Sequence, residues 1–441
     1  MDYYDEIRAA AGDPRRLEEL YRAARSAQEG EQFGSAMLAC AEEAPDNVLF
    51  AAWRYRLAAE GAAETPTKRA ERVTLAGANW RLAIPLSLAA GLLLWLLSDS
   101  RVTLPYGQPV LALLWAPLEA AFVVAYLMLS AKRPLRSYWA PLLGLAALAA
   151  VATVFSSLPG RAAYPVLMMI HLPVAALSAT GLCLLGRHAG HANRFAFVSK
   201  TLEVAITGGI FAAAVGVFAG ITLGLFEALG LALPEAVVRL LMVGGLGTVP
   251  VLAVASAYDP LLDPLQQKVE KGLGRLIPTL MWILLPLSLV VGAVYLLAIP
   301  FNFMGPFRSR ELLIVYNVLL FAVLALLVGA TPAHAEDLPA RYGKWLRTGV
   351  LVLAAMAAVV SVYALSATVY RTLQEGITPN RLTVIGWNGI NIGILVLLVY
   401  RMARQKAGSW IEPVHAAIGM GAAAYIVWTV LLVLGLPVIF R

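Results

Sequence analysis

The chain is short of charge, histidine and cysteine, and each shortage removes a class of chemistry. Only 14% of its 441 residues are charged, against about 25% in a typical soluble domain. Thirteen of the 27 acids fall in residues 1–66, and residues 82–441 hold only thirteen more. Two cysteines, Cys40 and Cys183, cannot build a disulfide framework. With no histidine beside them they cannot make a zinc site either. Both are expected to be small buried apolar residues. The N-terminus is acidic and polar, so no secretory signal is expected, and the first spanning helix is expected to direct insertion. No catalytic, nucleotide-binding or metal-binding signature stands out. No cofactor and no metal are expected.

What is present is apolar length. The chain is 60% hydrophobic with a mean hydropathy of +0.74. No single aqueous core hides that much apolar surface, so a lipid bilayer is expected to act as solvent. A helix rises about 1.5 Å per residue, so a hydrocarbon core of about 30 Å takes roughly 20 apolar residues. That ruler places spans at 82–98, 109–130, 138–157, 164–186, 202–226, 236–256, 277–300, 311–329, 347–370, 383–401 and 413–436. The runs are too long and too uniformly apolar for barrel strands. The fold class is therefore all-α: a polytopic membrane protein of about eleven helices, with a helical arm over 1–66 and a basic linker over 67–81.

Lysine and arginine set the direction of threading, because they stay on the cytoplasmic side. With the N-terminus inside, every inside segment carries three or four of them, from Lys68, Arg69, Arg72 and Arg81 to Arg401, Arg404 and Lys406. The outside segments carry one or two each: Arg101, Arg161, Arg239, Arg308 with Arg310, Arg371 with Arg381, and Arg441. The expected topology is N-terminus cytosolic and C-terminus outside. The pI near 9.4 is explained by these clusters; no basic groove with interleaved aromatics exists, and no nucleic-acid partner is expected. Arg outnumbers Lys 27 to 7, a composition that resembles a GC-rich bacterial genome.

The arm reads as short amphipathic helices. Asp13-Pro14 pairs a capping side chain with a proline at the first helical position. Leu17, Leu20, Tyr21 and Ala24 then recur at helical spacing. A second start is read at Asp46, after Pro45. Residues 36–47 resemble the junction of a tetratricopeptide repeat over about one and a half repeats. Too few repeats are present to bury a face, so the arm is expected either to pack on the membrane domain or to dock a cytosolic partner.

Polar groups inside the spans are the candidate functional residues, since an ionisable side chain at mid-bilayer costs about 2.5–3.5 kcal/mol on insertion scales. Glu119 sits mid-span two residues after Pro117. It reads either as a proton or cation site or as a neutral carboxyl in one interhelical hydrogen bond. His171, two residues before Pro173, is a candidate partner for it. Asn388 and Asn391 share a face beside Trp387 and need hydrogen-bond partners. Asn317, Tyr316, Ser361 and Ser366 are the candidates; the cluster is either a substrate site or polar glue. Lys200 and Glu203 are expected to form an interfacial ion pair. His188 and His191 read as a solvated loop, and His334 and His415 as isolated. Gly216, Gly220 and Gly224 make a smooth strip suited to close helix packing. Gly244, Gly245 and Gly247 suggest close packing or a helix break. Pro260–Arg275 reads as an amphipathic helix on the inner leaflet.

One segment is more specific. Glu375-Gly376-Ile377-Thr378-Pro379-Asn380-Arg381 lies directly before a late span, after a Gly-rich span ending in Leu225-Phe226 and a cytosolic Asp-Pro segment. Residues 201–401 resemble a family of uncharacterised bacterial polytopic membrane proteins in which a similar Gly-x-Thr-Pro-Asn-Arg segment precedes a late helix. The resemblance implies a bacterial membrane location and no established activity; the N-terminal arm lies outside its pattern. Physically, Thr378 suits a helix cap, Pro379 a first turn and Arg381 the outer interface. Anion binding is the alternative.

Three functions follow. A non-enzymatic scaffold or sensor would use residues 1–66 to dock a partner. A transporter or permease of a small solute, ion or lipid would use Glu119 and the spans interrupted by Pro85, Pro117, Pro173, Pro250 and Pro286. An intramembrane enzyme would need clustered acids or histidines, which are scarce. The scaffold is the expectation and transport the alternative.

Overall fold

Asp13 shows how the arm begins. In the computed structural model its Oδ1 accepts the backbone N–H groups of Arg15 and Arg16 at 3.0 and 3.1 Å, and Pro14 opens the helix, as read. The structure describes residues 3–26, 30–44, 47–57, 78–105, 107–132, 138–186, 189–267, 273–334, 343–405 and 410–440. Residues 67–77 of the expected linker, Asp46, His188, and the cations Lys68, Arg69, Arg72, Arg133, Arg136, Arg187, Lys268, Lys271, Arg341, Lys406 and Arg441 lie outside them. Trp80 and Arg81, read as the end of the linker, instead open the first apolar helix.

The chain divides into two compact units, Met1–Gly77 and Ala78–Arg441. In the first, α1 (Tyr3–Ala9), α2 (Pro14–Ser26), α3 (Gly30–Glu43) and α4 (48–57) are helical. Leu17, Leu20, Tyr21 and Ala24 are buried together with Ile7, Phe33, Phe50 and Trp53. Tyr21 packs on Phe33 and on Trp53, both at 5.4 Å between ring centres. The second helix start is capped by Asn47, whose Oδ1 accepts Leu49 N–H at 2.9 Å while its Nδ2 donates to the Ala11 carbonyl. This cluster corrects the expectation that the arm leaves a face uncovered. The repeat-like reading covered about one and a half repeats; α1 and α4 add Tyr3, Ile7, Phe50 and Trp53 to the buried cluster.

Eleven helices among the described residues of the second unit are long and apolar enough to cross a membrane, and the chain is a multi-pass membrane protein. They are α5 (Trp80–Leu97), α6 (Val110–Ala131), α7 (Trp139–Ser156), α8 (Ala163–Leu185), α9 (His191–Ala228), α10 (Glu235–Ala257), α11 (Leu273–Ala298), α12 (Arg310–Ala330), α13 (Gly343–Glu375), α14 (Pro379–Arg404) and α15 (Ile411–Ile439). Among the described residues there is no β-strand, only an isolated bridge between Thr103 and Pro109. One group of packed helices is α5–α8 with α10, another is α11–α14, and α9 and α15 touch both.

The apolar ruler undershot α9 the most. Helix α9 begins at His191, eleven residues before the span read at 202, because hydropathy marks contact with lipid and not the extent of the helix. Phe195 explains the extension: it is fully buried and stacks on His415 of α15 at 4.0 Å. His415 is therefore not isolated, and its Nε2 lies 3.1 Å from the Pro332 carbonyl.

Two glycine expectations separate. Gly91 of α5 meets α10 so closely that an added Cβ would overlap the Gly244 carbonyl, and a Cβ on Gly247 would lie 2.9 Å from Gly91 Cα. Here α10 is also broken by a π-helical turn at Leu240–Gly244. Gly216, Gly220 and Gly224 have nothing within 4 Å of a Cβ position, so that strip packs on nothing among the described residues. Pro260–Arg275 is not an amphipathic helix over its described first half. Gln267 donates to the carbonyls of Asp259 and Leu262 at 2.9 and 3.1 Å, and Pro264–Gln266 is a single 3-10 turn. Two prolines and a side chain that satisfies the backbone hold the turn against continuous helix.

Candidate functional site

Glu119 is held by α6, whose apolar faces leave the carboxyl only 4% exposed. Neither of its oxygens has a hydrogen-bond partner among the described residues. Pro117, two residues earlier, lies inside the helix. Glu119 is one of the residues around a cavity of about 240 Å³ between α6, α8, α9 and α10. Pro173 of α8 and Pro250 of α10 line the same space, so three of its four walls carry a helix-distorting residue.

Lys200 of α9 lines this cavity as well, which the sequence did not disclose. It is 8% exposed, and its Nζ donates to Glu203 Oε2 at 2.8 Å. The expected ion pair is present, with Lys200 buried and Glu203 half-buried. One acid thus answers the lysine and the other answers nothing. The hydroxyls of Thr180 and Thr201 also line the wall, and each bonds a carbonyl of its own helix. A buried carboxyl with neither hydrogen bond nor counter-charge is costly to ionise. Proton or cation exchange with the cavity is the chemistry such a group offers.

His171 does not pair with Glu119. Its Nδ1 donates to the Leu167 carbonyl at 2.7 Å, and its ring meets the Trp387 indole edge-on at 5.2 Å. Nε2 has no partner. The pairing failed because the residues point from neighbouring helices toward different neighbours, which helix order alone does not reveal.

Asn388 and Asn391 of α14 are both buried, and they divide the expected roles. Tyr425 of α15 donates its hydroxyl to Asn391 Oδ1, so this amide joins two helices. Asn388 lines a second cavity, of about 520 Å³, with Tyr316, Asn317 and Ser361. The sequence brought those four together correctly, but as a lining and not as hydrogen-bonded partners. Asn317 Nδ2 donates to Leu313 and Ser361 Oγ to Ala357, each on its own helix. Ser366 does the same to Tyr363. Short polar side chains in helices reach the preceding turn before they reach a neighbour. Trp387, read beside the two asparagines, does belong to this region; Tyr425 was missed and carries no sequence signal.

The Glu375–Arg381 segment is a built turn. Gly376 has φ +83°, a backbone that suits glycine. Thr378 Oγ1 accepts Arg381 N–H at 3.3 Å and Pro379 opens α14. The Arg381 guanidinium donates to the Gly376 carbonyl at 2.8 Å and to the Glu375 carboxylate. Asn380 is exposed. Arg381 is committed to its own turn, which favours a rigid helix start over anion binding. Among the described residues no three His, Cys, Asp or Glu side chains converge as metal ligands, and Cys40 and Cys183 are both free and buried.

No family model, no curated protein and no solved structure matches the chain.

Proposed function

We propose that the protein is a transporter of a small solute or ion, with Glu119 as the site that takes up a proton or cation inside the bilayer. The observation that carries this reading is a buried carboxyl, unpartnered among the described residues, on a residue beside a cavity three of whose four helices bear a proline. Intramembrane acids persist where they serve a pathway, and broken helices beside a π-turn are common at functional positions. The cavity is the space such a pathway needs. The test is flux. Purified protein in vesicles carrying an entrapped pH dye should acidify the lumen under an imposed potential. Glu119→Gln should reduce that signal to the level of empty vesicles while leaving insertion intact. Equal flux from wild type and Glu119→Gln would remove the proposal.

A second reading keeps the arm as a docking module. It no longer rests on an uncovered face, but on exposed Val48 (82%) and Tyr55 (69%) outside the arm's own core. Deleting residues 2–66 should then abolish co-purification of a cytosolic protein, and unchanged co-purification argues against it. For either function we place the protein in a bacterial cytoplasmic membrane, N-terminus cytosolic and C-terminus outside. The arginine and lysine distribution supports the orientation, and the Gly-x-Thr-Pro-Asn-Arg resemblance supports the bacterial source.

A further inference from the structure

The second cavity has a chemistry of its own, separate from Glu119. It lies between α11, α12 and α13, with Asn388 reaching it from α14. At about 520 Å³ it falls within the range of small-molecule sites. No Asp, Glu, Lys, Arg or His lines it. A phosphate or carboxylate placed there would find no cation and no helix N-terminus to answer its charge. Leu287 and Val291 line it while standing 59% and 54% exposed on the outer face of the bundle. Its mouth therefore opens sideways toward lipid.

The lining changes character along its length. Tyr295 lies in the last turn of α11, and Tyr316 and Asn317 in the early turns of α12, so all three sit toward the α11–α12 connection. Met281 of α11, Ala325 of α12 and Leu353 of α13 line the opposite end, which is wholly apolar. Polar and apolar ends on one axis match an amphiphile.

The hydrogen-bond inventory selects the head group. Asn388 is 1% exposed and its Nδ2 has no partner. A buried amide donor left empty costs free energy unless a ligand supplies an acceptor. Ser361 has already given its one hydrogen to the Ala357 carbonyl, and Asn317 one of its two amide hydrogens to the Leu313 carbonyl, so Ser361 retains lone pairs and Asn317 one N–H and its carbonyl oxygen. Such a wall asks for one group that both accepts and donates. A hydroxyl does so; an ester or ether only accepts, and an alkane does neither.

We infer that this cavity binds a neutral lipid alcohol entering from the bilayer, its hydroxyl at Asn388, Asn317 and Ser361 and its chain toward Met281 and Ala325. The full-length protein in detergent is titrated with three molecules of equal chain length: oleyl alcohol, methyl oleate and oleate. Bound adducts are counted by native mass spectrometry. Oleyl alcohol should bind one to one, about tenfold tighter than methyl oleate, the worth of one additional hydrogen bond; oleate should be weakest. Asn388→Leu removes the head contact and should erase the preference for the alcohol. Because it also removes an unsatisfied amide, its thermal midpoint should not fall. Ala325→Phe fills the chain end and should weaken all three without touching Asn388. The proposal is overturned by equal binding of the alcohol and the ester, by a preference for oleate, by no binding of any of the three, or by a wild-type profile in Ala325→Phe.

Discussion

Gly91 and Gly220 are the same residue under opposite constraints, and they separate packing from propensity. An alanine methyl at position 91 would run into the backbone carbonyl of Gly244, which belongs to a neighbouring helix and has no flexible end to yield. At position 220 the same methyl meets nothing within 4 Å. Gly91→Ala is therefore expected to lower the thermal midpoint of the detergent-solubilised protein through overpacking, at about 1–3 kcal/mol. Gly220→Ala is expected to leave the midpoint unchanged or raise it, since alanine favours helix by roughly 0.8–1.0 kcal/mol. A fall at Gly220 comparable to that at Gly91 would mean that the open strip is covered. Glu119 and Asn388 belong to the same scale. Each is a buried polar group left without a partner, and such groups persist where function outweighs their local cost.

Between elements, the loop from α5 to α6 is tied to the start of α10 by one ion pair. Asp99 accepts the Arg101 backbone N–H at 3.0 Å, and Arg239 donates to its other oxygen at 3.0 Å. The Arg101 amide first, and then the Arg239 guanidinium, hold the Asp99 carboxyl below the ordinary aspartate range. A depressed acid stabilises the folded form above its unfolded value, and the contribution disappears as pH falls through the lower folded value. Thermal midpoints of wild type and Asp99→Asn should thus differ at neutral pH and converge in acid. A difference that persists or widens in acid would contradict the assignment. The same level explains what could be read from sequence. All eleven spans were legible because lipid contact demands a length of apolar residues that nothing else in the chain imitates. The start of α9 was not, because Phe195 is buried by His415 and not by lipid. Asn388 was legible as a polar residue in an apolar run, and its neighbours Asn317 and Ser361 were legible for the same reason. Lys200 beside the Glu119 cavity was not, because its partner Glu203 is one turn away and offered a local explanation that happened to be true. The direction of His171 was not, since helix order does not fix which face meets which neighbour.

For the whole molecule, parity is the constraint that joins these elements. If all eleven long apolar helices cross, the number is odd, and the proposed threading puts the two ends of the chain on opposite sides of the bilayer. The proposed threading would put the Glu375–Arg381 turn on the side of the C-terminus, and Lys200 at the end of its cavity nearer the N-terminal side. Reporter fusions that become active on only one side of the membrane read this directly. A cytosolic reporter at the N-terminus and an external reporter after Arg441 should both be active, and a reporter inserted between Glu375 and Thr378 should agree with the one after Arg441. Among the helices, α11 is the one whose crossing is held least by its neighbours. Of its described side chains only Leu285 is buried, and Pro278 and Pro286 interrupt it. If both ends reported from one compartment, α11 would be the first helix to remove from the count. Every later loop would then change sides, and the polar end of the second cavity would face the other leaflet.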